Sequence, residues 1–136
     1  MARILGIDYG EKRTGLSATD PLQIIVNGLE TVETKDLENF LSRYLIVEEV
    51  DKIVIGLPRH KDGNFTHLKP KIDALALFLT THFPSIIIDF EDESFTSSQS
   101  RDIIFQSGVK KSKRKDKSLV DKVSAVLILQ KYLGHI

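Results

Sequence analysis

The stretch RILGIDYGEKRTGLSATD, residues 3–20, decides how this chain folds. Ile4 to Ile7 is a short apolar run closed by Asp8-Tyr9-Gly10, the pattern of a buried strand entering a turn. Arg13 to Ala18 follows too closely for a helical crossover, so it must return antiparallel to the first strand. Asp20-Pro21 makes the next turn. Gln23 to Val32 then reads as a third strand, completing an antiparallel meander.

Downstream, the hydrophobic period changes. Thr34 is placed to cap a helix in which Leu37, Phe40, Leu41, Tyr44 and Leu45 recur at helical spacing. Ile53 to Leu57 is a buried strand ended by Pro58, and a loop with Asp62-Gly63 follows. Ile72, Leu75, Ala76, Leu79 and Phe83 mark a second helix, with Pro70 near its first turn. Ile86 to Phe90 is the fifth strand. Thr96-x-x-Gln99 is a capping box for a further helix that Gly108 can end. Ser118 opens the last helix, which carries Leu119, Val123, Val126, Leu127 and Leu133. Two right-handed crossovers lay strands four and five parallel to strand one. The expected fold class is α/β: a mixed five-stranded sheet, three antiparallel strands then two parallel, flanked by helices. No linker or repeat divides the chain, so residues 1–136 are expected to form a single domain.

Composition narrows the chemistry. A chain of 136 residues can bury one core without disulfides. There are no cysteines, which excludes a thiol nucleophile and every Cys-ligated zinc or iron–sulfur site. Four scattered histidines (His60, His67, His82, His135) show no metal-ligand spacing. No signal-peptide h-region or membrane-length apolar run is present, so the expectation is a cytoplasmic protein with no membrane contact.

Formal charges cancel, 19 basic against 19 acidic, yet they are segregated. Residues 1–107 hold 11 basic and 17 acidic side chains, whereas residues 108–136 hold 8 and 2. Lys110, Lys111, Lys113, Arg114, Lys115 and Lys117 put six cations into eight residues. Such a run is either a solvated, solubilising segment or an arm for phosphate backbones.

Acidic residues fall at suggestive places. Asp8 ends strand one, Glu91-Asp92-Glu93 follows strand five, and Asp121 lies in the first turn of the last helix. In parallel sheets, sites form at the carboxyl ends of strands. Three carboxylates converging there suit Mg²⁺ or Mn²⁺, and two such ions can hold the attacking and leaving oxygens of a phosphodiester displacement. Each acid also has a local explanation: a turn residue at Asp8, a capping box from Ser118 to Asp121, a solvated loop at the trio. Gly6, Gly10 and Gly15 permit tight turning and close backbone approach to a ligand. Tyr9, beside Asp8, can stack on a base.

At this point four blocks carry a resemblance. RILGIDYGEKRTGLSATD (3–20), IVIGLP with a following Asp-Gly (53–63), DESFT (92–96) and VDKVSAVLILQKYL (120–133) together resemble the YqgF, or RuvX-like, family. Its members are described as pre-16S rRNA nucleases and Holliday junction resolvase homologues. The resemblance implies an RNase H-like fold and a divalent-metal endonuclease. It singles out Asp8, Glu93 and Asp121 as catalytic metal ligands of a two-ion Mg²⁺ or Mn²⁺ site. It implies structured RNA or branched DNA as partner, with rRNA processing or junction resolution as the task and a monomer or homodimer as the assembly. The arginine that follows the glutamate in the family is Ser94 here; Arg13, Arg59 and the basic run are the cations available in its place. Two rival readings stay open: a non-catalytic nucleic-acid-binding module of the same fold, and a nucleotide-phosphate site like that of sugar kinases.

Overall fold

The computed structural model describes residues 2–59, 63–92 and 117–136. Its strands are β1 (Arg3–Asp8), β2 (Arg13–Thr19), β3 (Val26–Glu33), β4 (Val50–Leu57) and β5 (Ile87–Asp92). Its helices are α1 (Leu37–Val47), α2 (Lys69–His82) and α3 (Lys117–Tyr132). The strands form one sheet in the order β3-β2-β1-β4-β5. β1 pairs antiparallel with β2, and β2 with β3. β4 lies parallel to β1, and β5 parallel to β4. This is the mixed sheet expected from the spacing of the apolar runs.

Strand alternation divides the core between two layers. Leu5 and Ile7 of β1 join Ile53 and Ile55 of β4 on one face, covered by Leu37 and Leu41 of α1 and Ile72, Leu75 and Leu79 of α2. Ile4 and Val54 face the other side, where Ile128 and Leu129 of α3 cover them. The central strands are buried on both faces, and so they read as near-continuous apolar runs. Among the described residues, no helix is long and apolar enough to cross a membrane.

Several local expectations are corrected. Thr34 does not cap α1: it opens a single 3-10 turn, Thr34–Asp36, before the helix. Its hydroxyl instead donates to the Gly10 carbonyl at 2.6 Å and meets the Thr14 hydroxyl at 2.9 Å, pinning the β1–β2 turn. Gln23 to Ile25 belong to a turn rather than to β3, because the Asp20 carboxylate captures the backbone N–H groups of Leu22, Ile24 and Ile25. β4 starts earlier than expected, at Val50. β5 continues through Glu91 and Asp92, so these acids lie on the strand and not beyond it. α3 begins at Lys117, which leaves Ser118 inside the helix and Asp121 past its first turn. The helix expected over 96–108 lies outside the described residues.

Candidate active site

The site is built where β1 leaves the sheet. In the β1–β2 ladder, Gly6 stands opposite Ser17 and Asp8 opposite Gly15. A Cβ on Gly6 would press into Leu129 of α3 at 2.6 Å, so this set of residues faces α3. The buried Ser17 hydroxyl donates to the Ala125 carbonyl at 2.7 Å, fastening helix to sheet. A Cβ on Gly15 would overlap the backbone oxygen of Asp121. The glycines therefore serve the close approach of α3 rather than of a ligand.

This packing seats Asp121 over Gly15 and brings it to the face and sheet end that Asp8 occupies. Arg13 precedes Gly15 by two residues and shares its face. Its Nε lies 3.6 Å from Asp121 Oδ2, both side chains being partly exposed. The structure thus gathers Asp8, Asp121 and Arg13.

On the parallel side, Gly56 of β4 is paired with Glu91 of β5, and Val54 with Asp89. Asp89 accepts a 2.6 Å hydrogen bond from the Tyr132 hydroxyl, which in turn accepts one from Lys52 Nζ at 2.9 Å. The Tyr132 hydrogen bond is the main reason the Asp89 carboxyl titrates below its ordinary range, with the Phe90 backbone N–H and the Lys52 charge adding to it. This link clamps the far end of α3 to the sheet. Glu91 alternates with Asp89, so it shares the α3 face nearer the carboxyl end.

Other expected residues lie elsewhere. Tyr9 packs with the core beneath α1 and α2, on the opposite face from Asp8. Arg59 pairs with Asp92 at 3.5 Å, donates to the Gly63 carbonyl at 2.9 Å and stacks over Phe65. Glu93, Ser94 and residues 110–116 lie outside the described residues. Among the described residues, no three His, Asp or Glu side chains come close enough together to hold a metal. Asp8 and Asp121 nonetheless supply the all-oxygen donor chemistry that Mg²⁺ and Mn²⁺ prefer.

Residues 2–135 match the family model described as "RuvX: Holliday junction resolvase". The chain belongs to the RuvX family. A RuvX relative from Porphyromonas gingivalis, named "Putative pre-16S rRNA nuclease", is 50% identical over 135 residues, 99% of this chain and 98% of its own. One of the same name from Bacteroides thetaiotaomicron is 42% identical over 133 residues, 98% of this chain and 96% of its own. The crystal structure of the fowlpox virus Holliday junction resolvase matches with a TM-score of 0.60 at 15% identity, over 98% of this chain and 99% of that one. Thermus thermophilus RuvC in complex with Holliday junction substrate matches at 0.51 and 17%, over 98% and 97%. At such identities these two structures establish the RNase H-like resolvase fold for this RuvX member.

Proposed function

We propose that this RuvX protein is a divalent-metal-dependent endonuclease that trims the 5′ end of pre-16S rRNA in the bacterial cytoplasm. The observation that carries the chemistry is the seating of Asp121 over Gly15, directly across the ladder from Asp8. The full-length likeness to relatives named for pre-16S rRNA supports the substrate.

Asp8, Glu93 and Asp121 would hold the ions, Mg²⁺ or Mn²⁺ in a two-ion site. Bound there, such ions supply positive charge to the scissile phosphate and lower the pKa of water. Asp8 contributes a carboxylate fixed by the β1 ladder. Asp121 contributes one fixed by the contact of α3 with β2. Arg13 holds Asp121 in place and offers its remaining donors to phosphate. Lys110, Lys111, Lys113, Arg114, Lys115 and Lys117 bind the nucleic-acid backbone, which gives affinity a steep salt dependence. Tyr9 lies on the opposite face, so it stacks on a base only where the substrate wraps the sheet edge.

The family description and the fold neighbours favour a second reading, resolution of four-way DNA junctions. A cleavage assay in Mn²⁺ offers the protein a 5′-extended small-subunit rRNA precursor and a four-way junction in parallel. Cutting of the precursor, with a 5′-phosphate on the product, is the expected result. Cutting of the junction alone would replace this reading with the second. Binding of either without cutting would reduce the protein to a non-catalytic module.

A further inference from the structure

The end of the sheet opposite Asp8 carries a different kind of surface. β1 starts there and β2 ends there, so the β2–β3 turn and the α1–β4 connection lie side by side, and β5 starts beyond β4 at the other edge of the sheet. Leu22, Ile24 and Ile25 in the turn are 58%, 61% and 58% exposed. Ile46 and Val47 close α1 at 79% and 80%, and Ile87 opens β5 at 60%. The other exposed large apolar side chains among the described residues are Phe65, Leu77 and Ile136.

The display is braced. Asp20 Oδ1 accepts from the Ile24 and Ile25 amides at 2.8 Å each, and Oδ2 from Leu22 at 3.3 Å. Gln23 adopts φ +61°, a left-handed conformation unusual for a residue with a side chain. Its amide donates to the Ala2 carbonyl at 2.9 Å and to Asp51 at 3.4 Å. Arg3 donates to the Thr19 carbonyl at 2.9 Å and pairs with Glu48 at 3.3 Å. The turn and the α1–β4 connection are thereby held on one frame. Braced this way, the turn keeps three aliphatic side chains in water instead of folding them inward.

We propose that this end is a self-association surface on which a second copy of the chain docks. Its rim carries both signs, with Arg3 and Lys52 beside Glu48, Glu49 and Asp51. A twofold axis sets such a patch against itself and lets opposite charges pair across it. Nucleic acid is disfavoured by the same acids. The five aliphatics of the turn and of the end of α1 offer on the order of 500 Å² per copy, about 1,000 Å² for the pair, which is the size at which a specific interface begins. Monomeric proteins seldom expose more in one place.

The geometry has a consequence for cleavage, and that consequence rests on the proposed function. Strands of this length span about 20–25 Å. Copies joined end to end therefore carry their Asp8–Asp121 edges at opposite extremes, facing apart. Each edge then serves its own strand, as end trimming needs, whereas paired cuts across one junction need two edges facing a common substrate.

Sedimentation equilibrium of the full chain tests the association without any reference to activity. The expected result is a concentration-dependent dimer of the 15.3 kDa chain. Ile24→Glu and, separately, Val47→Glu should each weaken it by about tenfold or more, as loss of a central apolar anchor does. Leu77→Glu, on α2 and away from this end, should leave it unchanged. Circular dichroism confirms that the variants fold, and either one suffices if the other does not. A chain that stays monomeric to roughly 100 μM, where weak specific dimers would be seen, overturns the proposal. So does a dimer that both substitutions leave intact.

Discussion

Asp121 rides on Gly15: the backbone oxygen of the helix residue occupies the space where the strand residue would carry a Cβ. Gly15 is in turn the ladder partner of Asp8. One glycine thus sets the height of α3 above the sheet and the placement of one acid relative to the other.

Gly15→Ala should consequently do more harm to cleavage than to folding. The added methyl forces α3 off β2, an overpacking strain of about 1–3 kcal/mol. Urea unfolding measures that loss. Cleavage measured well below the new unfolding midpoint should fall further than the folded fraction does, because Asp121 shifts away from Asp8.

Much of this arrangement was legible in the sequence. The short spacing from Ile7 to Arg13 dictated an antiparallel return, and the helical spacing between Val32 and Ile53 dictated a crossover. Asp8 and Asp121 stood out because strand ends and helix starts converge in such sheets. The purpose of Gly6 and Gly15 was hidden, since close approach to a ligand and close approach to a helix leave the same residue type. Thr34 misled for a related reason: a hydroxyl that suits an N-cap equally suits a distant carbonyl, here that of Gly10. The Asp20 turn was obscured by its aliphatics, which read as strand while three amides turned to one carboxylate.

Arg13→Gln separates electrostatics from scaffold. The Arg13–Asp121 pair is partly exposed, so its loss should change stability by no more than about 1 kcal/mol. Steady-state kinetics should show a raised KM with a smaller change in kcat, and Arg13→Lys should restore part of the affinity. Unchanged kinetics in Arg13→Gln would remove Arg13 from the phosphate-binding set.

Acid sensitivity should report the clamp at the far end of α3. The Asp89 carboxyl is held below its ordinary range chiefly by the Tyr132 hydrogen bond. A carboxyl depressed on folding adds stability above its unfolded pKa, about 3.9, and that contribution fades as pH falls through the folded value. The melting temperature of wild type should therefore exceed that of Asp89→Asn near neutrality. The gap should narrow as pH falls below about 4. A gap independent of pH would contradict the assignment.

The basic run at 110–117 should appear in the salt dependence of binding. Neutralising Lys110, Lys111 and Lys113 to Gln should flatten the plot of log affinity against log salt by about 0.7–0.9 per lost phosphate contact. The slope measured by filter binding on the rRNA precursor checks this. An unchanged slope would mark the run as a solvated segment.

The most direct measurement of the central claim is Mn²⁺-dependent cleavage by Asp8→Asn beside wild type, with matched folding by circular dichroism. The substitution keeps size and removes charge, so cleavage should fall by about a hundredfold or more, the scale on which the loss of one electrostatic contributor to a reaction acts. Undiminished cleavage by the purified variant would contradict the assignment of this edge as the catalytic centre.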